Sequence, residues 1–120
     1  LLLDMWGASH LDDPARLSLA LRAAVRAAEA TLLHLHLHHF SPVGGVSGVA
    51  VLAESHISVH TWPEHGFAAF DIFMCGDAEP ALAATALREA LRPERVELTE
   101  QRRGILPAFA ATEGPGDEKN

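Results

Sequence analysis

The chain has 120 residues, so one domain with one modest core is the natural count. That length excludes a triosephosphate-isomerase-type barrel and a two-lobed dinucleotide enzyme. Nine Lys and Arg against 16 Asp and Glu give a formal charge of −7, which argues against binding a nucleic-acid backbone.

Residues 1–6 form a short apolar run that fits an edge or a central strand. Asp12-Asp13-Pro14 is a helix-start signal, with an Asp cap and a Pro in the first turn. Leu17, Leu21, Ala24, Val25 and Ala28 then recur at helical spacing and predict an amphipathic helix over 14–29. Residues 31–39 alternate: Leu33, Leu35 and Leu37 point one way, His34, His36 and His38 the other, as in a strand with one buried face. Ser41-Pro42-Val43-Gly44-Gly45 reads as a loop. Two strands follow over 46–53 and 57–62, the first with Val49, Val51 and Ala53 on one face. Pro63-Glu64-His65-Gly66 is a turn. The strand over 67–75 alternates Ala68, Phe70, Ile72 and Met74 with Ala69, Asp71, Phe73 and Cys75. The short turn favours antiparallel pairing with residue 60 opposite about residue 69.

Gly76-Asp77 offers a cap for a second helix bearing Leu82, Ala83, Ala86, Leu87, Ala90 and Leu91 and closed by Arg92-Pro93. Val96 and Leu98 mark a last strand. The expected architecture is α+β: a two-layer sandwich, an antiparallel sheet with two helices on one face, assembled as a dimer. The domain spans 1–103, and 104–120 is a flexible tail without periodicity. By parity the open face of the sheet would hold His34, His36, His38, His56, Ser58, His60, Asp71, Phe73 and Cys75. Such a half-polar, half-aromatic face suits a dimer interface, a site, or both.

One cysteine excludes an internal disulfide and a Cys-based zinc cage, and fits a reducing, cytoplasmic compartment. No apolar run reaches the roughly 18 residues of a membrane span. The N-terminal run starts without Met or a basic segment, and reads as trimmed and not as a signal peptide. Seven of the eight His lie between His34 and His65, and there is no Tyr.

Three features bear chemistry. The His34, His36 and His38 ladder suits metal ligation by residue type, but its ends would lie about 13 Å apart along a strand, so solvated or interface histidines are the alternative and no metal is expected. His60 and Cys75, with Ser55, suit nucleophilic catalysis; the alternative is a small buried thiol. Glu54-Ser55-His56 interrupts two apolar strand halves, as a bulge, a turn or a functional insertion would.

The run from Gly48 to Glu64, with Glu54-Ser55-His56 and His60-Thr61-Trp62-Pro63-Glu64, together with Asp71-Ile72-Phe73-Met74-Cys75-Gly76, resembles the short prokaryotic S-adenosylmethionine decarboxylases. The resemblance covers residues 1–104. It implies a pyruvoyl-dependent carboxy-lyase made as a self-cleaving proenzyme. The Ser55 hydroxyl would attack the Glu54 carbonyl, and the resulting ester would eliminate to give fragments 1–54 and 55–120. Residue 55 would become the covalent pyruvoyl cofactor that condenses with the substrate amine. By the same resemblance Ser47 assists processing, His60 is the processing proton acceptor and Cys75 the proton donor in turnover. A thiol, mostly protonated at neutral pH, suits that role. Phe40 and Trp62 would stack on adenine, and Glu64 would accept from ribose hydroxyls.

The implied assembly is a homodimer of processed protomers acting on a small amino-acid-type substrate, with no nucleic acid and no membrane. The implied product is the aminopropyl donor for spermidine synthesis. Family members acting on L-ornithine or L-arginine share the processing residues, so those substrates are the first alternative. A non-enzymatic His-rich metal-binding or interaction module is the second. Three departures from the family pattern stand out: a loop one residue longer before Ser47, His65 in place of Tyr, and Met74 in place of Thr. None is expected to touch the self-processing residues, and all are expected near the distal substrate pocket.

Overall fold

The computed structural model describes residues 1–40, 44–75 and 77–103; the expected tail over 104–120, Gly76 and the loop residues 41–43 lie outside the described residues. In chain order the elements are β1 (Leu2–Trp6), α1 (Pro14–Ala27), β2 (Leu32–His39), β3 (Val46–Leu52), β4 (Ser55–Trp62), a 3-10 turn (Pro63–His65), β5 (Phe67–Met74), α2 (Pro80–Leu91) and β6 (Arg95–Thr99). The strands form one sheet in the order β2-β3-β4-β5-β1-β6, antiparallel throughout. The expected α+β two-layer arrangement is what the chain adopts, with β1 inside the sheet.

Asp13 caps α1 through its carboxylate, which accepts from the Ala15 and Arg16 amides. The helix ends at Ala27, two residues before the expected boundary, and Glu29 takes a left-handed conformation at φ 58°. Helix α2 starts at Pro80, not at Asp77, because Pro at the first position has no amide to satisfy. Arg92 closes it at φ 51°. Leu17, Leu21, Ala24 and Val25 from α1, and Ala83, Ala84, Leu87 and Leu91 from α2, are buried. They share the core with Leu3, Met5, Ala50, Leu52, Ile57, Val59, Ala68, Phe70, Ile72 and Met74 from the sheet. Leu82, expected in that core, is exposed. Among the described residues no helix is long and apolar enough to cross a membrane.

The register sorts the other face into rows. His34, Val51, His56 and Phe73 align, as do His36, Val49, Ser58, Asp71 and Leu2. His38, Ser47, His60, Ala69 and Asp4 form the next row, and Trp62, Phe67 and Trp6 the last. Val49 and Val51 therefore lie on the open face, not against the helices. Leu33 departs from the expected alternation. The β2–β3 register slips between Leu32 and His34, and Leu33 is left 63% exposed. One extra residue in a strand reverses the side to which it points.

Among the described residues, Thr61 is the buried polar side chain of the helix-side core. Its hydroxyl donates to the Leu11 carbonyl at 2.7 Å and accepts from the Val46 amide at 2.8 Å, tying the β1–α1 loop to β3 and β4. Thr61→Val keeps the shape but leaves both backbone groups without that partner. It should lower stability by about 1–3 kcal/mol, read as a shift in urea midpoint, while Thr61→Ser retains most of it. An unchanged midpoint in Thr61→Val would disprove the latch.

Candidate active site

The polar interruption of the apolar run is a hairpin turn. Leu52 pairs with Ser55, and Ala53 and Glu54 make the two-residue loop between β3 and β4. Ser55 opens β4 at φ 147°, a positive value that side chains other than glycine rarely adopt. Strain of this kind costs on the order of 1–3 kcal/mol and persists where surrounding contacts enforce it.

Those contacts come from two sides. The Glu54 carbonyl oxygen accepts from the Cys75 amide and from the Cys75 thiol, each at 3.1 Å. The Glu54 carboxylate accepts from the Thr31 amide at 2.9 Å, and the Thr31 carbonyl accepts from the Ala53 amide at 3.0 Å. The turn is thus held by the end of β5 and by the residue that leads into β2. Two donors aimed at one carbonyl oxygen stabilise negative charge as it develops there. The Ser55 hydroxyl stands on the same peptide, 3.3 Å from His56 Nδ1.

His56 lies across β4–β5 from Phe73, with ring centroids 5.7 Å apart. Its Nε2 faces the Asp71 carboxylate at 3.7 Å. The Arg103 guanidinium sits 4.2 Å over the Phe73 ring and 3.6 Å from the same carboxylate. The sequence placed His56, Asp71 and Phe73 on one face by parity but gave His56 no role. Arg103 had no signal, because only the chain path after β6 returns it to β5.

Ser47 and His60 come together, with Ser47 Oγ 2.8 Å from His60 Nδ1. They do not join Ser55. Five residues of strand separate Ser55 from His60, about 16 Å at about 3.3 Å per residue. The expected pairing of residue 60 with residue 69 is the observed one, so His60 and Cys75 also lie at opposite ends of the sheet. Near the His60 end, Trp62, Phe67 and Trp6 form a row with centroids 5.4 and 5.3 Å apart, and Arg95 covers Trp6 at 4.3 Å. Trp6, Trp62, His65 and Phe67 line a hollow of about 530 Å³. Phe40 is exposed and meets His38 edge to face at 4.6 Å. Glu64 is exposed in the turn beside Trp62. Among the described residues no group of three His, Cys, Asp or Glu side chains gathers to hold a metal ion.

The sequence pattern of the S-adenosylmethionine decarboxylase family matches residues 1–104. The chain belongs to the S-adenosylmethionine decarboxylase family. It is similar to the S-adenosylmethionine decarboxylase proenzyme of Thermomicrobium roseum, at 43% identity over 88% of this chain and 91% of that one. It is 50% identical to the proenzyme of that name from Parasynechococcus marenigrum, over 87% of this chain and 81% of the relative. The crystal structure of the adenosylmethionine decarboxylase from Aquifex aeolicus superposes with a TM-score of 0.71 at 34% identity, covering 87% of this chain and 93% of that one.

Against the family pattern, two departures fall in different places. His65 lines the aromatic hollow with Trp6, Trp62 and Phe67. Met74, expected to stand clear of the self-processing residues, is buried and pairs directly with Ser55. The reason is register, since the end of β5 lies opposite the hairpin turn.

The Glu54 clamp makes a checkable difference between two substitutions. In a Ser55→Ala background, which keeps the peptide intact, Glu54→Ala should speed hydrogen exchange of the Thr31 amide by about tenfold. Glu54→Gln keeps an acceptor oxygen and should leave the exchange close to that of the parent. Equal exchange in both would show that the carboxylate holds nothing.

Proposed function

We propose that this chain is a self-cleaving, pyruvoyl-dependent S-adenosylmethionine decarboxylase whose Ser55 becomes the cofactor. One observation supports this above the others: the Glu54 carbonyl, held by two donors from Cys75, immediately precedes a serine at a strained positive φ. Attack by Ser55 Oγ forms a five-membered ring with the charge on the oxygen that Cys75 contacts. Breaking the carbon–nitrogen bond leaves an ester between Glu54 and the Ser55 side chain and relieves the φ constraint. Loss of the Ser55 α-proton then expels the Glu54 carboxylate and frees fragments 1–54 and 55–120, and the dehydroalanine left at residue 55 takes up water and releases ammonia to become the ketone.

A pyruvoyl group, once formed, supplies an electron-withdrawing ketone for the loss of carbon dioxide from an α-amino acid. The residues present suit it: a half-buried serine precursor at a strand end, with the exposed Cys75 thiol on the carbonyl that precedes it. In this reading the Cys75 thiol first stabilises the oxyanion and, in the mature enzyme, protonates the former α-carbon.

The partner in this reading is a second copy of the chain. Ser47 and His60 are hydrogen-bonded to one another yet lie about 16 Å along the strand from Ser55, too far to act on it within one protomer. A two-fold axis between two open sheet faces, crossing β4 near its midpoint, places the Ser47–His60 end of one copy over the Ser55–Cys75 end of the other. Val49, Val51, Leu2 and Phe73 give that face its apolar share. His60 of the opposite protomer then removes the Ser55 α-proton.

The same placement brings the aromatic end of one copy to the cofactor of the other. The Phe40 amide bonds the Gly45 carbonyl at 2.9 Å, and Gly45 abuts the β4 backbone at Thr61. Phe40 and Trp62 therefore flank a residue without a side chain, about 10 Å apart at about 4.8 Å per strand. That gap admits one planar base stacked between two rings. Glu64 accepts from the ribose hydroxyls, and the sulfonium charge gains from the neighbouring ring faces. A cytoplasmic location accompanies this reading.

Intact mass should show fragments ending at 54 and starting at 55 in the wild type, and a single chain in Ser55→Ala. Labelled S-adenosylmethionine, ornithine and arginine offered to the wild type should yield carbon dioxide from the first alone. Decarboxylation of ornithine or arginine would transfer the reading to those substrates. Co-expression of Ser55→Ala with His60→Ala should restore cleavage of the His60→Ala chain, because the first supplies His60 and the second supplies Ser55. Failure of the mixture to cleave, with both chains folded, would place the whole site in one protomer.

A further inference from the structure

We propose that His56, the neighbour of the scissile peptide, is the general base that starts self-cleavage, with Asp71 as its positioning residue. The inference rests on the self-cleavage reading above and assigns the first proton transfer, which that reading leaves without an acceptor. His60 of the same chain is about 16 Å away along β4, and His60 of the opposite protomer is assigned the later α-proton, which leaves the hydroxyl proton to the histidine in contact with Ser55. His56 Nδ1 is 3.3 Å from Ser55 Oγ, at the loose end of the range for a resting catalytic contact.

The ring is fixed in the orientation the step needs. Its Nε2 faces Asp71 Oδ2 at 3.7 Å, which favours the tautomer with the proton on Nε2 and leaves the Nδ1 lone pair toward Ser55. Asp71 is held in turn. Arg103 lies 3.6 Å from Oδ2, while Oδ1 is buried with no hydrogen-bond partner among the described residues. The His56 ring tilts against Phe73, whose face takes the Arg103 guanidinium. On the β3 side the neighbour is Val51, apolar, with His34 of β2 beyond it. Among the described residues the charged side chains seen beside the imidazole are Asp71 and Arg103, with the Leu1 ammonium on the far side of Asp71, and Cys75 lies at the adjoining strand end. A histidine that merely filled space would need neither the carboxylate behind it nor the hydroxyl before it.

The step balances without a co-reactant. The Ser55 Oγ proton passes to His56 Nδ1 as the oxygen–carbon bond forms, and the carbonyl electron pair moves to the oxygen held by Cys75. On collapse, the carbon–nitrogen bond breaks and the same proton passes from His56 to the Ser55 nitrogen. The net change is an amide turned into an ester, with no oxidation or reduction.

His56 and His60 then act at successive steps, and hydroxylamine separates them, because it cleaves esters under mild conditions and leaves amides intact. The full chain is made by cell-free translation, sampled over time, treated with or without hydroxylamine and weighed. His60→Ala should stop as the ester, so hydroxylamine cuts it between 54 and 55. His56→Ala should stop earlier, as a chain that hydroxylamine does not cut, with cleavage slowed by about 100-fold or more. Added imidazole should restore part of that rate, which a structural defect would not allow. Asp71→Asn, close in shape, should slow the same step by about tenfold or more through loss of the favoured tautomer. Ester or fragments formed by His56→Ala at the wild-type rate would overturn the inference. So would a misfolded His56→Ala accompanied by wild-type cleavage in Asp71→Asn. A wild type that never cleaves would overturn the self-cleavage reading together with this one, whereas a cleaving wild type matched by His56→Ala would overturn this one alone.

Discussion

The orientation of a single carbonyl governs the arrangement around it. The Glu54 oxygen points at the Cys75 amide and thiol because β5 ends opposite the β3–β4 turn, and β5 ends there because its register with β4 pairs Met74 with Ser55. Shift that register by one residue and Cys75 would turn to the other face, Met74 would leave the core, and the carbonyl would lose both donors. The core packing of Ile57, Ile72 and Met74 thus sets the geometry of the Glu54–Ser55 peptide, which lies outside the core.

The same register divides the sheet functionally along its strands. At one end lie the strained serine, His56, Asp71 and Cys75; toward the other lie Ser47, His60 and the aromatic row. Strand rise alone makes these groups too distant to cooperate in one copy. A domain this small has one sheet and one helix layer, so its open face is both the place where chemistry can be displayed and the surface left for a partner. The proposed pairing of two copies uses that face for both purposes.

Much of this was legible from residue order. Alternation along 67–75 put Asp71, Phe73 and Cys75 on one face, and the short turn at 63–66 fixed which residues face each other across β4 and β5. The polar Glu54-Ser55-His56 break marked the turn between β3 and β4. Other features were out of reach. The slip at Leu33 is a bulge whose position depends on how β2 meets β3, and period-two counting assumes that no such slip occurs. Arg103 reaches Phe73 by the path of the chain after β6, which no local pattern encodes. Cys75 read as one side chain of an alternating strand; that its main-chain amide and its thiol converge on one oxygen follows from the turn opposite.

The order of strands has a consequence for what a cut at the β3–β4 turn leaves behind. Fragment 1–54 contributes β1, β2 and β3, and fragment 55–120 contributes β4, β5 and β6. They are interleaved, because β1 of the first lies between β5 and β6 of the second. Separation would require parting three ladders at once: β3 from β4, β5 from β1, and β1 from β6. The two pieces are therefore interlocked by topology without a covalent link, and nicking costs the native state little. Unfolding is another matter. Once parted, the pieces must meet again by diffusion, so a reversible single-chain transition becomes a concentration-dependent one, and the mature molecule depends on slow opening for its lifetime.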